Sequence, residues 1–191
     1  RNDACIKNAT TPQKCSFTEY GNINDLEALK YSSNTYQFQT AIRVGNGNYI
    51  YDAPLIIDEN AFNIYRSTFA EFGLGVKTGI DLPNEITGYK GKNTLSGLLL
   101  DFSIGQYDNY TPIQLNQYIN TIANGGYRVE PHILNAVYSS TSSKLDNLIY
   151  RISPTILNKV DVDDIYINRV QEGFKMVFEP YGTGYGIIDP A

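Results

Sequence analysis

Tryptophan is absent, histidine and methionine occur once each, and cysteine occurs twice, so several kinds of chemistry have few residues to draw on. His132 is the sole histidine, and apart from Glu130 no cluster of Cys, Asp or Glu stands near it in sequence. It reads as a surface or loop residue rather than a base or a metal ligand. Cys5 and Cys15 enclose a short polar loop with no flanking His or further Cys, which excludes a four-ligand zinc site. A local disulfide and two unpaired thiols both fit that pair. No apolar run approaches the roughly 20 residues of a membrane span; Leu98-Leu99-Leu100 is interrupted at once by Asp101. Clustered basic residues are missing too. The 15 Lys and Arg against 20 Asp and Glu give a net charge of −5, spread thinly, which argues against nucleic-acid phosphates as a partner.

What is present is ordinary globular composition, 42% hydrophobic and 18% charged over 191 residues, enough for one domain with a sizeable core. No period of roughly 20 to 50 residues repeats, so the chain reads as one contiguous unit, 1–191. It opens on Arg1 with no charged-then-apolar leader, and both ends look abrupt. The expectation is a segment of a longer protein, truncated at both ends.

Apolar spacing and caps predict a short helix over 25–31 and a second over 35–44, capped by Asn34 and ended by Gly45-Asn46-Gly47. An amphipathic helix is predicted over 58–72, stopped by Gly73-Leu74-Gly75, then a loop over 77–93. A buried helix follows over 94–102, closed by Ser103-Ile104-Gly105-Gln106, and Thr111-Pro112 opens another that stops at Asn124-Gly125-Gly126. Segments 133–138 and 148–152 read as a hairpin across a Ser/Thr-rich turn. A last helix is expected over 163–178, with Asp163-Asp164 at its N-terminus where the helix dipole favours them. Gly182-Thr183-Gly184-Tyr185-Gly186 reads as a flexible lead. The sum is α+β, mainly α-helical.

Between the first two helices lies Ser32-Ser33-Asn34, a polar S-x-N triplet. Three longer segments accompany it in order: 72–85, reading Phe-Gly-Leu-Gly-Val-Lys-Thr-Gly-Ile-Asp-Leu-Pro-Asn-Glu; Ser103-Ile104-Gly105-Gln106 with Thr111-Pro112-Ile113-Gln114-Leu115; and Ala123-Asn124-Gly125-Gly126. Over roughly 24–131 this resembles the class B, monofunctional penicillin-binding proteins. Their transpeptidase domain has the fold shared with serine β-lactamases and is built on S-x-x-K, S-x-N and K-T-G motifs.

The resemblance implies a peptidoglycan D,D-transpeptidase. A serine attacks the penultimate D-Ala of one stem peptide, forms an acyl-enzyme and passes the acyl group to an amine on a neighbouring strand, and β-lactams block that serine. It implies that Ser32 relays a proton between the catalytic Lys and the leaving amine, and that Asn34 hydrogen-bonds both the substrate amide and that Lys. No metal or cofactor is implied. Partners would be stem peptides, β-lactams and other cell-wall synthesis proteins. The parent protein would be anchored by an N-terminal membrane helix on the extracytoplasmic face of the bacterial membrane.

Lys77-Thr78-Gly79 spells the third motif but precedes a loop pattern, and reads as structural. The true K-T-G is expected shortly after Ala191. No S-x-x-K occurs; Thr141 with Lys144 has the spacing only if Thr is accepted, in the wrong order, so the nucleophile is expected before Arg1 and the segment alone is expected to be inactive. Gly105 and Gln106 are expected to shape the core beneath the site. Two other readings compete: a serine β-lactamase or penicillin-sensing domain, and a noncatalytic docking module of degenerate transpeptidase fold.

Overall fold

A computed structural model describes residues 5–8, 11–16, 18–139 and 148–187. In chain order it contains β1 (Cys5–Asn8), β2 (Thr11–Cys15), α1 (Asp25–Lys30), α2 (Asn34–Val44), α3 (Ala61–Glu71), α4 (Ser96–Ser103), α5 (Pro112–Ala123), β3 (Tyr127–Val129), β4 (Ala136–Tyr138), β5 (Leu148–Arg151), β6 (Ile156–Lys159) and α6 (Asp164–Met176). The strands form three separate antiparallel pairs: β1 with β2, β3 with β6, and β4 with β5. The α+β, mainly helical expectation therefore holds. The serine and threonine turn of the β4–β5 hairpin, and the Thr141–Lys144 spacing, lie outside the described residues.

Helix starts follow the capping chemistry. Asn24 and Glu27 form a capping box on α1, as do Thr111 and Gln114 on α5, where Pro112 takes the first helical position. α2 starts one residue earlier than predicted: its cap is Ser33, whose Oγ accepts the Tyr36 N–H, and Asn34 is the first helical residue. α3 starts later, because the Asp58 carboxylate accepts the Asn60 N–H in a local turn that competes with helix. Asp163 occupies the cap position of α6 without a capping hydrogen bond, and Asp164 pairs with Lys159 instead.

The core lies among α2, α3 and α4. Phe38, Ala41 and Ile42 of α2 meet Phe62 of α3 and Leu99, Leu100 and Phe102 of α4, with Ile6 of β1 inserted from the hairpin. Each of the Phe, Ile and Leu side chains among them, fully buried, contributes about 1.5–3 kcal/mol relative to exposure. The Arg66 guanidinium donates to both oxygens of the buried Asp108 carboxylate at 2.8 Å and to the Gly91 carbonyl at 2.8 Å, while lying over the Phe62, Phe102 and Tyr107 rings. Its hydrogen bond to Asp108 holds the Arg66 pKa above the ordinary value.

A second unit is α1 packed on α6. Gly173 lets the two helices approach, since a Cβ there would stand 2.5 Å from Leu29 Cδ1 and 3.1 Å from Leu29 Cβ. Arg169 of α6 donates to both oxygens of Asp25 at the start of α1. The predicted flexible lead packs back as well. Thr183 N–H donates to the Lys30 carbonyl at 3.1 Å, and Gly184 is buried with its N–H on the Val177 carbonyl.

Candidate active site

Five of the six described helices end in the same way. In each, the third residue after the helix sends its N–H to the carbonyl five residues back, and the residue before it bonds three back, in the Schellman pattern. The residue at the turn takes a left-handed backbone. At that position stand Gly73 after α3, Gly105 after α4 and Gly125 after α5, with Asn46 after α2. After α1 it is Ser32, at φ +52. Glycine and asparagine accept that backbone readily, whereas serine is held there at a cost on the order of 1 kcal/mol.

Ser33 then turns inward, buried, to cap α2, and Asn34 follows on its first turn. Helix end and helix start are thus consecutive, which leaves Ser32 exposed and Asn34 half-exposed beside it. Neither of these two side chains caps a helix, so the ordinary explanation for Ser and Asn at such a junction does not apply here.

The triplet is bracketed by two segments distant in sequence. On one side, Asn34 Nδ2 donates to the Cys15 carbonyl at 3.3 Å, and the Thr35 N–H donates to Ser16 Oγ at 2.8 Å. Cys5 and Cys15 form a disulfide, which decides between the two alternatives the sequence left open. On the other side, Thr183 reaches the Lys30 carbonyl, and Tyr20 stacks on Tyr31 with centroids 4.7 Å apart. These contacts to Cys15, Ser16 and Thr183 had no signature in the sequence, because each crosses from 19 to 153 residues of chain.

The remaining motif residues build the frame. Thr78 is fully buried; its N–H and hydroxyl both donate to Glu85 Oε1 at 2.6 Å, and the Gly79 N–H reaches Glu85 Oε2 at 3.3 Å. Lys77-Thr78-Gly79 therefore lies in a loop and its threonine is spoken for, as the structural reading of that triplet expected. Burial opposes ionisation of Glu85, yet the Thr78 hydroxyl and N–H, the Gly79 N–H and the Lys77 charge together hold its pKa below the ordinary value.

From α5, Gln114 Nε2 donates to the Val76 carbonyl at 2.6 Å and Gln117 Nε2 to the Thr78 and Val129 carbonyls at 3.0 and 2.9 Å. Asp81 accepts the Ile133 and Leu134 N–H groups, which lower its pKa in that order. Gly105 and Gln106 do not lie under the site: both are exposed in the turn that closes α4. His132 is half-buried, with Nε2 3.7 Å from Glu130, on the β4 side of this frame and not in the triplet.

The exposed part of the site thus offers a hydroxyl, able to give and take a proton, and a carboxamide of both polarities, on a rigid junction of two helices. The family described as penicillin binding protein transpeptidase domain matches residues 2–190. Penicillin-binding protein 2A of Bacillus subtilis is 51% identical over 179 residues, 93% of this chain and 25% of that protein. Peptidoglycan D,D-transpeptidase MrdA of Acinetobacter baumannii is 29% identical over 184 residues, 91% of this chain and 24% of that protein. Among solved structures, penicillin-binding protein 2B of Streptococcus pneumoniae strain 5204 aligns with a TM-score of 0.85 at 37% identity, covering 95% of this chain and 32% of that one.

The chain belongs to the penicillin-binding protein transpeptidase family. Within it, the relatives are of the class B type that the order of motifs implied, and the chain spans about a quarter of the length of the curated relatives.

Proposed function

We propose that the protein carrying this chain is a peptidoglycan D,D-transpeptidase that works through a serine acyl-enzyme and is acylated by β-lactams, with Ser32 and Asn34 in its active site. The observation that carries this reading is the backbone of Ser32. Where other helices of the chain turn on Gly or Asn, this one turns on a serine whose hydroxyl is exposed and makes no capping bond. Strain retained at one position of a repeated motif points to a side chain kept for its chemistry.

In this reading Ser32 passes a proton between the catalytic lysine and the leaving amine, and Asn34 holds the substrate amide and the lysine. The nucleophilic serine and the K-T-G strand come from outside these residues, since no S-x-x-K is present and Thr78 is buried. The parent acts on stem peptides at the extracytoplasmic face, held there by an N-terminal membrane helix, alongside other cell-wall synthesis proteins. The disulfide supports that location, because such bonds persist in oxidising compartments. The noncatalytic docking reading and the β-lactamase or sensor reading are not favoured, since the relatives are penicillin-binding proteins and a peptidoglycan D,D-transpeptidase by name.

The test is fluorescent penicillin labelling of the intact protein on a denaturing gel, with Ser32→Ala and Asn34→Ala beside it. Covalent labelling of the parent, slowed in both variants, is expected. An unlabelled parent, or parental rates in both variants, overturns the reading.

A further inference from the structure

At the end of β2, the Cys15 carbonyl meets the S-x-N turn through a contact that neither helix capping nor core packing requires. The Cys15 carbonyl can only accept a hydrogen bond. Whichever end of the Asn34 carboxamide faces it must be the NH2, and Asn34 Nδ2 does so at 3.3 Å. That contact turns Oδ1 the other way, free to accept from a cation or an N–H donor.

One residue on, Ser16 Oγ accepts the Thr35 N–H at 2.8 Å and lies 2.9 Å from Thr35 Oγ1. The Thr35 N–H is one of the first-turn donors of α2 that the helix itself cannot satisfy. Ser16 supplies the acceptor from 19 residues away, beside the bond that Ser33 makes to Tyr36.

The hairpin that delivers these two groups is fixed at several points. Ile6 is fully buried in the core, Lys14 Nζ donates to both Asp101 oxygens at 2.8 and 2.7 Å, and Cys5 and Cys15 are cross-linked opposite each other in the ladder. A fixed hairpin end can hold a side chain in one orientation; a mobile one could not.

We infer that Ser16 and the Cys15 carbonyl are positioning groups for acyl transfer, orienting Asn34 and the first turn of α2, with the Cys5–Cys15 disulfide holding them in register. The inference rests on the acyl-transfer reading above. Ser16 acts through Asn34 and does not itself touch the reacting atoms.

The experiment follows acylation of the intact protein by fluorescent penicillin over time and concentration, separating the maximal acylation rate from the half-saturating concentration. Loss of one such hydrogen bond is expected to slow maximal acylation roughly three- to tenfold in Ser16→Ala. The half-saturating concentration and the melting temperature stay near parental. Ser16→Thr, which keeps the hydroxyl, restores the rate, and Ser16→Ala adds no further loss in an Asn34→Ala background. Cys5→Ser/Cys15→Ser gives the same pattern of a slower maximal rate absorbed by Asn34→Ala, and decides the matter if Ser16→Ala does not fold. Parental acylation in both, or losses that multiply with that of Asn34→Ala, overturns the positioning role while leaving the transpeptidase reading intact. A parent that takes no label overturns the transpeptidase reading and this one with it.

Discussion

Glu85 takes both the N–H and the hydroxyl of Thr78 on one carboxylate oxygen, each at 2.6 Å, and so closes the loop that carries the longest family motif. The geometry explains why a Thr-Gly and a Glu occur six and seven residues apart there: one carboxylate satisfies three donors that would otherwise be buried alone. Glu85→Ala removes all three hydrogen bonds at once. With Thr78 fully buried, the loss is expected to be about 2–3 kcal/mol in a denaturant melt, and a loss below the error of that melt would refute the role.

The same carboxylate sets a pH dependence. Its folded-state pKa lies below the ordinary 4.5, so its contribution is fully present above that value and is lost as pH falls through the lower, folded value. Glu85→Gln has no proton to take up, so its stability falls less steeply than the parent's as pH is lowered from 5 toward about 3. Parallel slopes for the two proteins in melts across that range would mean that the carboxylate is not held as described.

Gly73 and Gln117 define a second tight contact. A Cβ on Gly73 would stand 2.2 Å from Gln117 Oε1, and the backbone there is left-handed at φ +98. Gln117 cannot swing away, because its Nε2 already bridges the Thr78 and Val129 carbonyls. Gly73→Ala is therefore expected to destabilise by about 2–3 kcal/mol, from backbone strain and overlap together. In the double variant with Gln117→Ala the two losses should add to less than their sum, and strict additivity would show that the contact does not limit Gly73.

The elements that were legible in the sequence are those whose signals are local. Asn24 with Glu27, and Thr111-Pro112 with Gln114, are capping patterns complete within four residues, and α1 and α5 start where these place them. The β1–β2 pair was not legible. Its strands carry Lys7, Gln13 and Lys14 and a proline at Pro12, and what orders them is Ile6 in a distant core, a disulfide, and Asp101, 87 residues from Lys14. The β3–β6 pair was missed for a similar reason: three- and four-residue strands joined across a long excursion leave little periodicity to read. At the site, the motif marked Ser32 and Asn34, but neither the backbone of Ser32 nor the contacts from Cys15 and Ser16 could be inferred without the fold.

Gly173 gives a prediction in which two effects have opposite sign. Alanine in place of glycine inside a helix gains about 1 kcal/mol of propensity. Here the new Cβ would meet Leu29 at Cδ1, 2.5 Å, and at Cβ, 3.1 Å; a rotamer change relieves the first contact and not the second. The overlap is expected to win, with Gly173→Ala lowering the melting temperature of the intact protein. Leu29→Ala in the same chain should recover part of the loss. A rise in melting temperature for Gly173→Ala alone would show that α1 and α6 shift apart freely.

Ser32→Gly separates folding from chemistry at a single residue. The position is the left-handed turn of a Schellman motif, where three other helices of the chain carry glycine. Removing the serine side chain relieves backbone strain of about 1 kcal/mol, partly offset by the greater freedom of glycine in the unfolded chain. The net expectation is unchanged or raised thermal stability, with Ser32→Ala, which keeps the Cβ, below Ser32→Gly. Acylation by penicillin should move the other way, slowed in both variants because both lack the hydroxyl. A stabilised and slowed Ser32→Gly protein would show that the strain is retained for the proton-relaying group. If Ser32→Gly is stabilised and acylates at the parental rate, the hydroxyl has no part in the reaction.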